Sequence, residues 1–244
     1  MKEIIRTAIM SCGSLMYESG NSMILYYHDF HNKMQFTSQS TPLSVFKRHV
    51  GIIRKKGYSI VPRITNEKGQ VVIMMDDGHA GIWDCRDYLI NESIYPTIFI
   101  TKNLVGSTDK LTEEQIRRMD KEGFNFQSHT VNHGSLWEQS DNVVRNELRE
   151  SKLYLEELLS KEIDGFCAPF GKFTRTSCII AREEGYKYFY ACTPGFYSDI
   201  ITEFNFVKTR NAAQSLTDSQ LKLVLNGGNK IFQNIYLTRR YKTI

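Results

Sequence analysis

Short apolar runs alternate with longer amphipathic stretches along this chain. The apolar runs predict strands over residues 23–27, 58–61, 71–75, 97–100, 124–127, 165–168, 187–191 and 206–209. Between them, apolar positions fall at helical spacing. Thr41-Pro42 reads as an N-cap followed by Pro at the first helical position, and Phe46, Val50 and Ile53 then share one face. Thr112-Glu113-Glu114-Gln115 fits a capping box ahead of Ile116 and Met119. Ser140 is placed to cap a longer helix ending near Lys161. That helix would turn Val144, Leu148, Leu155 and Leu159 inward and leave Glu147, Arg149 and Glu150 in water.

One punctuation recurs. Lys55-Lys56-Gly57-Tyr58, Lys121-Glu122-Gly123-Phe124 and Glu183-Glu184-Gly185-Tyr186 each end a helix in charge, turn at glycine and open a strand on an aromatic. Glycine relieves left-handed strain just past a helix. The repeated unit predicts an α/β fold. His28, Asp76, Asp77, His129 and Pro169 follow directly on predicted strands. In a parallel α/β barrel such positions converge on the face where sites are built.

With 244 residues, one large domain or two small ones are possible, and no linker or low-complexity segment divides the chain. A formal net charge of +4 imposes no nucleic-acid footprint, so no nucleic-acid partner is expected. Cys12, Cys85, Cys167, Cys178 and Cys192 are scattered without a CxxC pair, which predicts reduced thiols rather than disulfides or a zinc knuckle. No apolar run reaches bilayer length. The stretch Thr7-Ala8-Ile9-Met10 is broken by Ser11 and Gly13 and flanked by Glu3 and Glu18. It makes a poor secretory signal, so a cytoplasmic location is expected. Past Asn226-Gly227-Gly228 the chain is basic, with Lys230, Arg239, Arg240 and Lys242. Such a tail is a candidate for peripheral contact with an anionic membrane surface; a packed or disordered tail is the alternative.

The chemistry concentrates in two stretches. Met74-Met75-Asp76-Asp77-Gly78-His79 puts an acidic pair at the end of a buried strand, which is costly unless a cation or proton compensates it. Ser128-His129-Thr130-Val131-Asn132-His133 places two imidazoles a helical turn apart. One carboxylate and two imidazoles make a metal site with room for water, and the spare carboxylate can serve as a base. Either stretch alone is weak, since Asp-Asp-Gly is common in turns. Together they point to metal-assisted hydrolysis.

With Tyr26-Tyr27-His28 and Phe166-Cys167-Ala168-Pro169-Phe170-Gly171 added, the set resembles the polysaccharide deacetylase family, the NodB-homology carbohydrate esterases. The resemblance runs over residues 24–210. It implies an irregular (β/α) barrel in one domain over 23–210, an N-terminal extension over 1–22 and a helical basic tail over 211–244. It also implies a hydrolase that removes an acetyl group, N-acetyl before O-acetyl, from a sugar or polysaccharide precursor.

The resemblance further implies roles. Asp77, His129 and His133 would hold a divalent cation. Their donors suit zinc best and also accept cobalt, nickel, iron or manganese. Asp76 would be the general base and the Phe170 backbone N–H the oxyanion donor. Ser128 and Thr130 would hold the metal loop in shape. Pro169, His79 and Trp83 would face the substrate.

An amine leaves only when protonated, so an acid is needed. No histidine follows His133; His28 is the candidate and His79 the alternative. His31 and His49 are expected at the surface. Trp137, like Trp83, is a candidate sugar-stacking wall or a core residue.

Much of the family carries an arginine in the third motif that orients the catalytic aspartate. Cys167 or Ala168 stands in that region here. This gap and the missing late histidine motivate an alternative, a catalytically impaired carbohydrate-binding protein on the same scaffold. A third reading keeps hydrolysis but acts on a non-peptide C–N bond of a small amide.

Overall fold

A computed structural model describes residues 2–243. Nine strands form one parallel sheet: β1 Met23–Tyr27, β2 Ser59–Ile60, β3 Gln70–Met75, β4 Thr97–Ile100, β5 Asn125–Ser128, β6 Gly165–Cys167, β7 Tyr188–Tyr190, β8 Val207–Lys208 and β9 Asn211–Ala212. Their order is β8-β7-β6-β5-β4-β3-β1-β9, and β2 pairs with the start of β3. The helices are α1 Lys2–Met16, α2 Leu43–Lys55, α3 Gly81–Asn91, α4 Glu113–Lys121, α5 Asp141–Leu159, α6 Arg175–Glu183, α7 Asp218–Leu225 and α8 Gln233–Arg240.

The sheet curls because its two edges are tied together. β8 lies at one edge and β9 at the other, yet only Thr209 and Arg210 separate them. Even fully extended, that connection spans roughly 10 Å. The edges therefore meet, and the sheet becomes the expected deformed barrel.

Alternation along the strands builds two cores. Met23, Leu25, Tyr27, Val71, Ile73 and Met75 pack outward under the helices. Ile24, Tyr26, Val72 and Met74 pack inward with Phe99, Cys167 and Cys192. Burial on both faces explains why these strands read as continuous apolar runs. Each fully buried side chain of this kind contributes about 1.5–3 kcal/mol.

The recurrent glycines behave as read. Gly57, Gly123 and Gly185 have φ of 84°, 102° and 82°, just past α2, α4 and α6. Tyr58 and Phe124 are buried immediately before β2 and β5. The Thr112/Gln115 capping box is present on α4, and Thr174/Ser177 and Thr217/Gln220 cap α6 and α7 in the same way.

Other expectations need correction. Thr41 does not cap α2. Ser40–Pro42 instead pairs with Asp29–His31, and the Thr41 hydroxyl donates to the Gln214 carbonyl at 3.1 Å, which leaves Pro42 at the N-cap. Ser140 precedes α5 but makes no side-chain cap. His49 is buried rather than at the surface. Its Nδ1 meets the Tyr27 hydroxyl at 3.0 Å and its Nε2 the Leu216 carbonyl at 3.1 Å, which ties α2 to the barrel.

The segment boundaries also move. β9 belongs to the sheet, so a division at residue 210 cuts through the barrel closure. α1 packs on the turn Gly228–Phe232, where a Cβ on Gly13 would lie 2.6 Å from the Gly228 carbonyl oxygen. The end of the basic tail folds back too, with Tyr241–Lys242 pairing in parallel with Phe173–Thr174. No helix among the described residues is long and apolar enough to cross a membrane.

Candidate active site

The inward alternation that places Tyr26 and Met74 in the barrel continues to His28 and Asp76. β1 and β3 pair in register to Tyr27 and Met75, and the Asp76 N–H donates to the Tyr27 carbonyl at 3.0 Å. The two side chains therefore leave adjacent strands at the barrel mouth. Asp77, Thr130, His133 and Phe170 follow strand ends with φ of 69°, 69°, 58° and 58°. Left-handed backbone at non-glycine residues costs on the order of 1–3 kcal/mol each and gathers at functional sites.

Asp77 Oδ1 lies 3.2 Å from His129 Nε2 and 3.0 Å from His133 Nε2. The oxygen is buried and no N–H is aligned on it. Donor atoms assembled for a cation look this way; donor atoms assembled for one another would be aligned. The His129 Nδ1–H donates to the Cys167 carbonyl at 2.7 Å, which keeps the Nε2 lone pair on the side of Asp77. Burial alone would push the Asp77 carboxyl up. The imidazoles of His129, His133 and His79 outweigh it and hold the group well below the usual carboxylate range. This donor set fits a divalent cation.

The loop carrying the imidazoles is held from several sides. Thr130 Oγ1 accepts the His133 N–H at 2.9 Å, and the Ser128 hydroxyl meets Ser151 of α5 at 2.6 Å. Glu147 is the main departure from expectation. It is buried, and its carboxylate accepts the Val131 and Asn132 N–H groups, both at 2.9 Å, and the Asn132 side chain at 2.6 Å. The signal was its spacing: Glu147 stands three residues after Val144 and four before Ser151, on the inward face of α5.

Asp76 is held by an arginine from outside the third motif. Arg210 Nη1 donates to Oδ1 at 2.6 Å and Nη2 to Oδ2 at 2.9 Å. The guanidinium is fully buried over the Tyr26 ring, 4.5 Å from its centroid, and Nη2 also reaches the sulfurs of Cys167 at 2.9 Å and Cys192 at 3.2 Å. Burial pushes the Asp76 carboxyl up, but the charge and bonds of Arg210 prevail and its pKa is lowered. Asp76 is thus ionised although buried. Arg210 enters from the connection that closes the barrel, not from the third motif beside Cys167. It lies just past the predicted strand 206–209, the same position rule that singled out Asp76.

A cavity of about 360 Å³ opens over these groups, lined also by Tyr26, His28, Gln39, Phe170, Cys192, Gln214 and Arg240. His28 Nδ1 meets Gln214 Oε1 at 2.6 Å, and Gln214 Nε2 donates to Gln39 Oε1 at 3.1 Å. Phe170 is 59% exposed and stands edge-on to His133, with ring centroids 4.9 Å apart.

The other expected substrate contacts lie elsewhere. His79 is buried behind Asp77, with Nε2 3.6 Å from Asp77 Oδ2 and Lys110 Nζ 3.0 Å from the same nitrogen. Pro169 is buried inside the turn that presents Phe170. Trp83 faces Arg86 and Arg118, at 3.9 and 5.4 Å from its ring, because α3 carries it toward α4 and away from the cavity. Trp137 donates its indole N–H to the carbonyls of Phe173 at 2.9 Å and Arg240 at 3.0 Å.

Fold and site together define a class: a curled parallel α/β barrel with an Asp-His-His cluster and an arginine-held aspartate at the strand carboxyl ends. A family model described as polysaccharide deacetylase matches residues 63–189, just over half of the chain, and the protein belongs to that family. It is 25% identical over 183 residues to the Bacillus subtilis (strain 168) protein YxkH, which bears a polysaccharide deacetylase name. That match covers 70% of this chain and 64% of YxkH, so the chain spans less than two thirds of that relative's length. Among solved structures, the fold is similar to the Streptococcus pyogenes deacetylase PplD in complex with acetate, with TM-score 0.73 and 21% identity over 85% of this chain and 99% of the other. It is similar also to IcaB from Ammonifex degensii, with TM-score 0.71 and 17% identity over 86% and 98% of the two chains.

Proposed function

We propose that this protein hydrolyses the N-acetyl group of a glycan sugar. One observation carries the reading: an ionised aspartate clamped by Arg210 opens into the same cavity as the Asp77, His129 and His133 cluster. Those three residues would hold a divalent cation, with zinc favoured by donor type and cobalt, nickel, iron or manganese as alternatives. A cation bound there supplies Lewis acidity toward the acetyl carbonyl and the attacking water.

The protein's own groups do the rest. Asp76 takes a proton from the water as the new C–O bond forms. Arg210 keeps that carboxylate ionised and fixes the direction of its oxygens. The Phe170 N–H donates to the oxygen on which negative charge develops, an interaction worth about 3 kcal/mol in comparable sites. His28 gives a proton to the leaving nitrogen as the C–N bond breaks, so acetate and a free amine depart. Its Nδ1 bond to Gln214 orients the ring for that transfer. A proton donor at this place favours N-acetyl over O-acetyl substrates, because an amine needs protonation more than an alkoxide does. Arg210 supplies the arginine whose absence was one motive for a catalytically impaired carbohydrate binder, and His28 stands in for the missing late histidine, the other motive.

Acetate release from N-acetylated and O-acetylated oligosaccharides, with zinc supplied, tests the proposal. The expected result is turnover that falls about 10²- to 10⁴-fold in Asp76→Asn. Wild-type protein that releases no acetate from either set overturns it.

A further inference from the structure

We propose that the C-terminal arm, α8 with the strand Tyr241–Lys242, builds a subsite for an oxyanion carried by the substrate sugar, with Arg240 as the specificity-determining residue. The deacetylase reading supplies the sugar; the subsite itself rests on separate observations. Arg240 lines the cavity. Its Nη1 donates to the Cys192 carbonyl at 2.9 Å, and its guanidinium lies 4.9 Å from the Tyr236 ring centroid. Most of its N–H groups are left for another acceptor.

The surroundings are cationic. Lys172 and Lys242 lie over the Trp137 ring, 5.0 and 4.4 Å from its centroid. Among the described residues, no carboxylate comes within 4.0 Å of the charged nitrogens of Arg240, Lys172 or Lys242. The carboxylates nearby are already engaged. Asp76 is held by Arg210, Asp77 by the imidazoles, and Glu203 by Arg175 at 3.1 Å and the Tyr241 hydroxyl at 2.7 Å.

The arm is also seated by construction. The Trp137 indole N–H grips the Arg240 carbonyl. Gly171 has φ of 64°, and a Cβ there would lie 2.7 Å from Arg240 Nη1 and 2.5 Å from Cys192 Cβ. Arg240 therefore reaches the cavity through a gap that only glycine leaves, at the end of the Pro169-Phe170-Gly171 turn. A guanidinium with a free pair of N–H groups matches the two oxygens of a phosphate or carboxylate. The tail that read as a membrane contact thus turns its arginine toward the active site.

Kinetics on three matched sugars test the inference: N-acetylglucosamine, its 1-phosphate and N-acetylmuramic acid. We expect kcat/KM to favour at least one anionic sugar over the neutral one, with a KM that rises with added salt. Arg240→Ala should reduce that preference at least tenfold, mainly through KM, and Arg240→Lys should restore part of it. Arg239→Ala, an exposed neighbour, should leave the preference unchanged. The two anionic arms distinguish phosphate from carboxylate. Turnover with no anionic preference, or a preference that survives Arg240→Ala, overturns the subsite and leaves the deacetylase reading intact. If no acetate is released from any sugar, calorimetric binding of glucose 1-phosphate against glucose decides the subsite alone. Equal affinities in wild type and Arg240→Ala then overturn it.

Discussion

Asp76 and Arg210 carry the most specific consequences at the scale of single residues. The lowered pKa of Asp76 keeps the proposed base ionised below the pH at which a free carboxylate would protonate. Activity resting on an ionised base is lost as pH falls through that pKa. Arg210→Lys removes the two-bond clamp, raises the Asp76 pKa and should move the acid limb of kcat/KM upward in pH; an unmoved limb contradicts the role given to the clamp. Asp29 works in the opposite sense. Burial pushes its carboxyl up to about 6. A raised carboxyl pKa stabilises the fold below the unfolded value near 4, and that contribution is lost as pH rises through about 6. Asp29→Asn should therefore gain stability over wild type above pH 6, on the order of 2–3 kcal/mol, with the gap narrowing toward pH 4. Denaturant titrations at several pH values read this directly. His28, Asp76, Asp77 and His129 were legible because each follows a predicted strand, and His133 by its spacing from His129. Arg210 obeys the same position rule, but its pairing with Asp76 was not legible, since the two lie far apart in sequence and only the barrel closure joins them.

At the scale of elements, the loop that carries His129 and His133 depends on α5. Glu147 fixes two backbone N–H groups between His129 and His133. Glu147→Gln keeps the shape but replaces one acceptor oxygen by a donor, and should weaken cation binding about 10- to 100-fold with helix content unchanged. Equilibrium dialysis with zinc checks it. Helical periodicity revealed where α5 lies, but hydropathy treated its charged residues alike. Helical spacing puts Glu147 on the inward face, and its burial is paired burial, satisfied by loop N–H groups that lie 15 and 16 residues away in sequence. Trp83 and His79 show the converse: position near a motif suggested substrate contact, while the helix and turn geometry aimed both side chains away.

For the whole molecule, barrel closure was legible in class but not in its ends. A two-residue strand such as β9 is too short for periodicity to mark, so its place in the sheet went unread. The chain ends are structural parts of one body, with α1 seated on the turn Gly228–Phe232. Gly13→Ala drives a methyl into the Gly228 carbonyl and should cost about 1–3 kcal/mol, a fall of several degrees in Tm. An unchanged melting curve would show that this contact yields freely. The proposed hydrolysis rests on one cation held by Asp77, His129 and His133. Metal analysis after zinc loading and dialysis tests that most directly, comparing wild type with the His129→Ala/His133→Ala double variant. One zinc per wild-type chain and none in the variant is the expected result; a wild type without zinc, or equal occupancy in both, contradicts the proposed site.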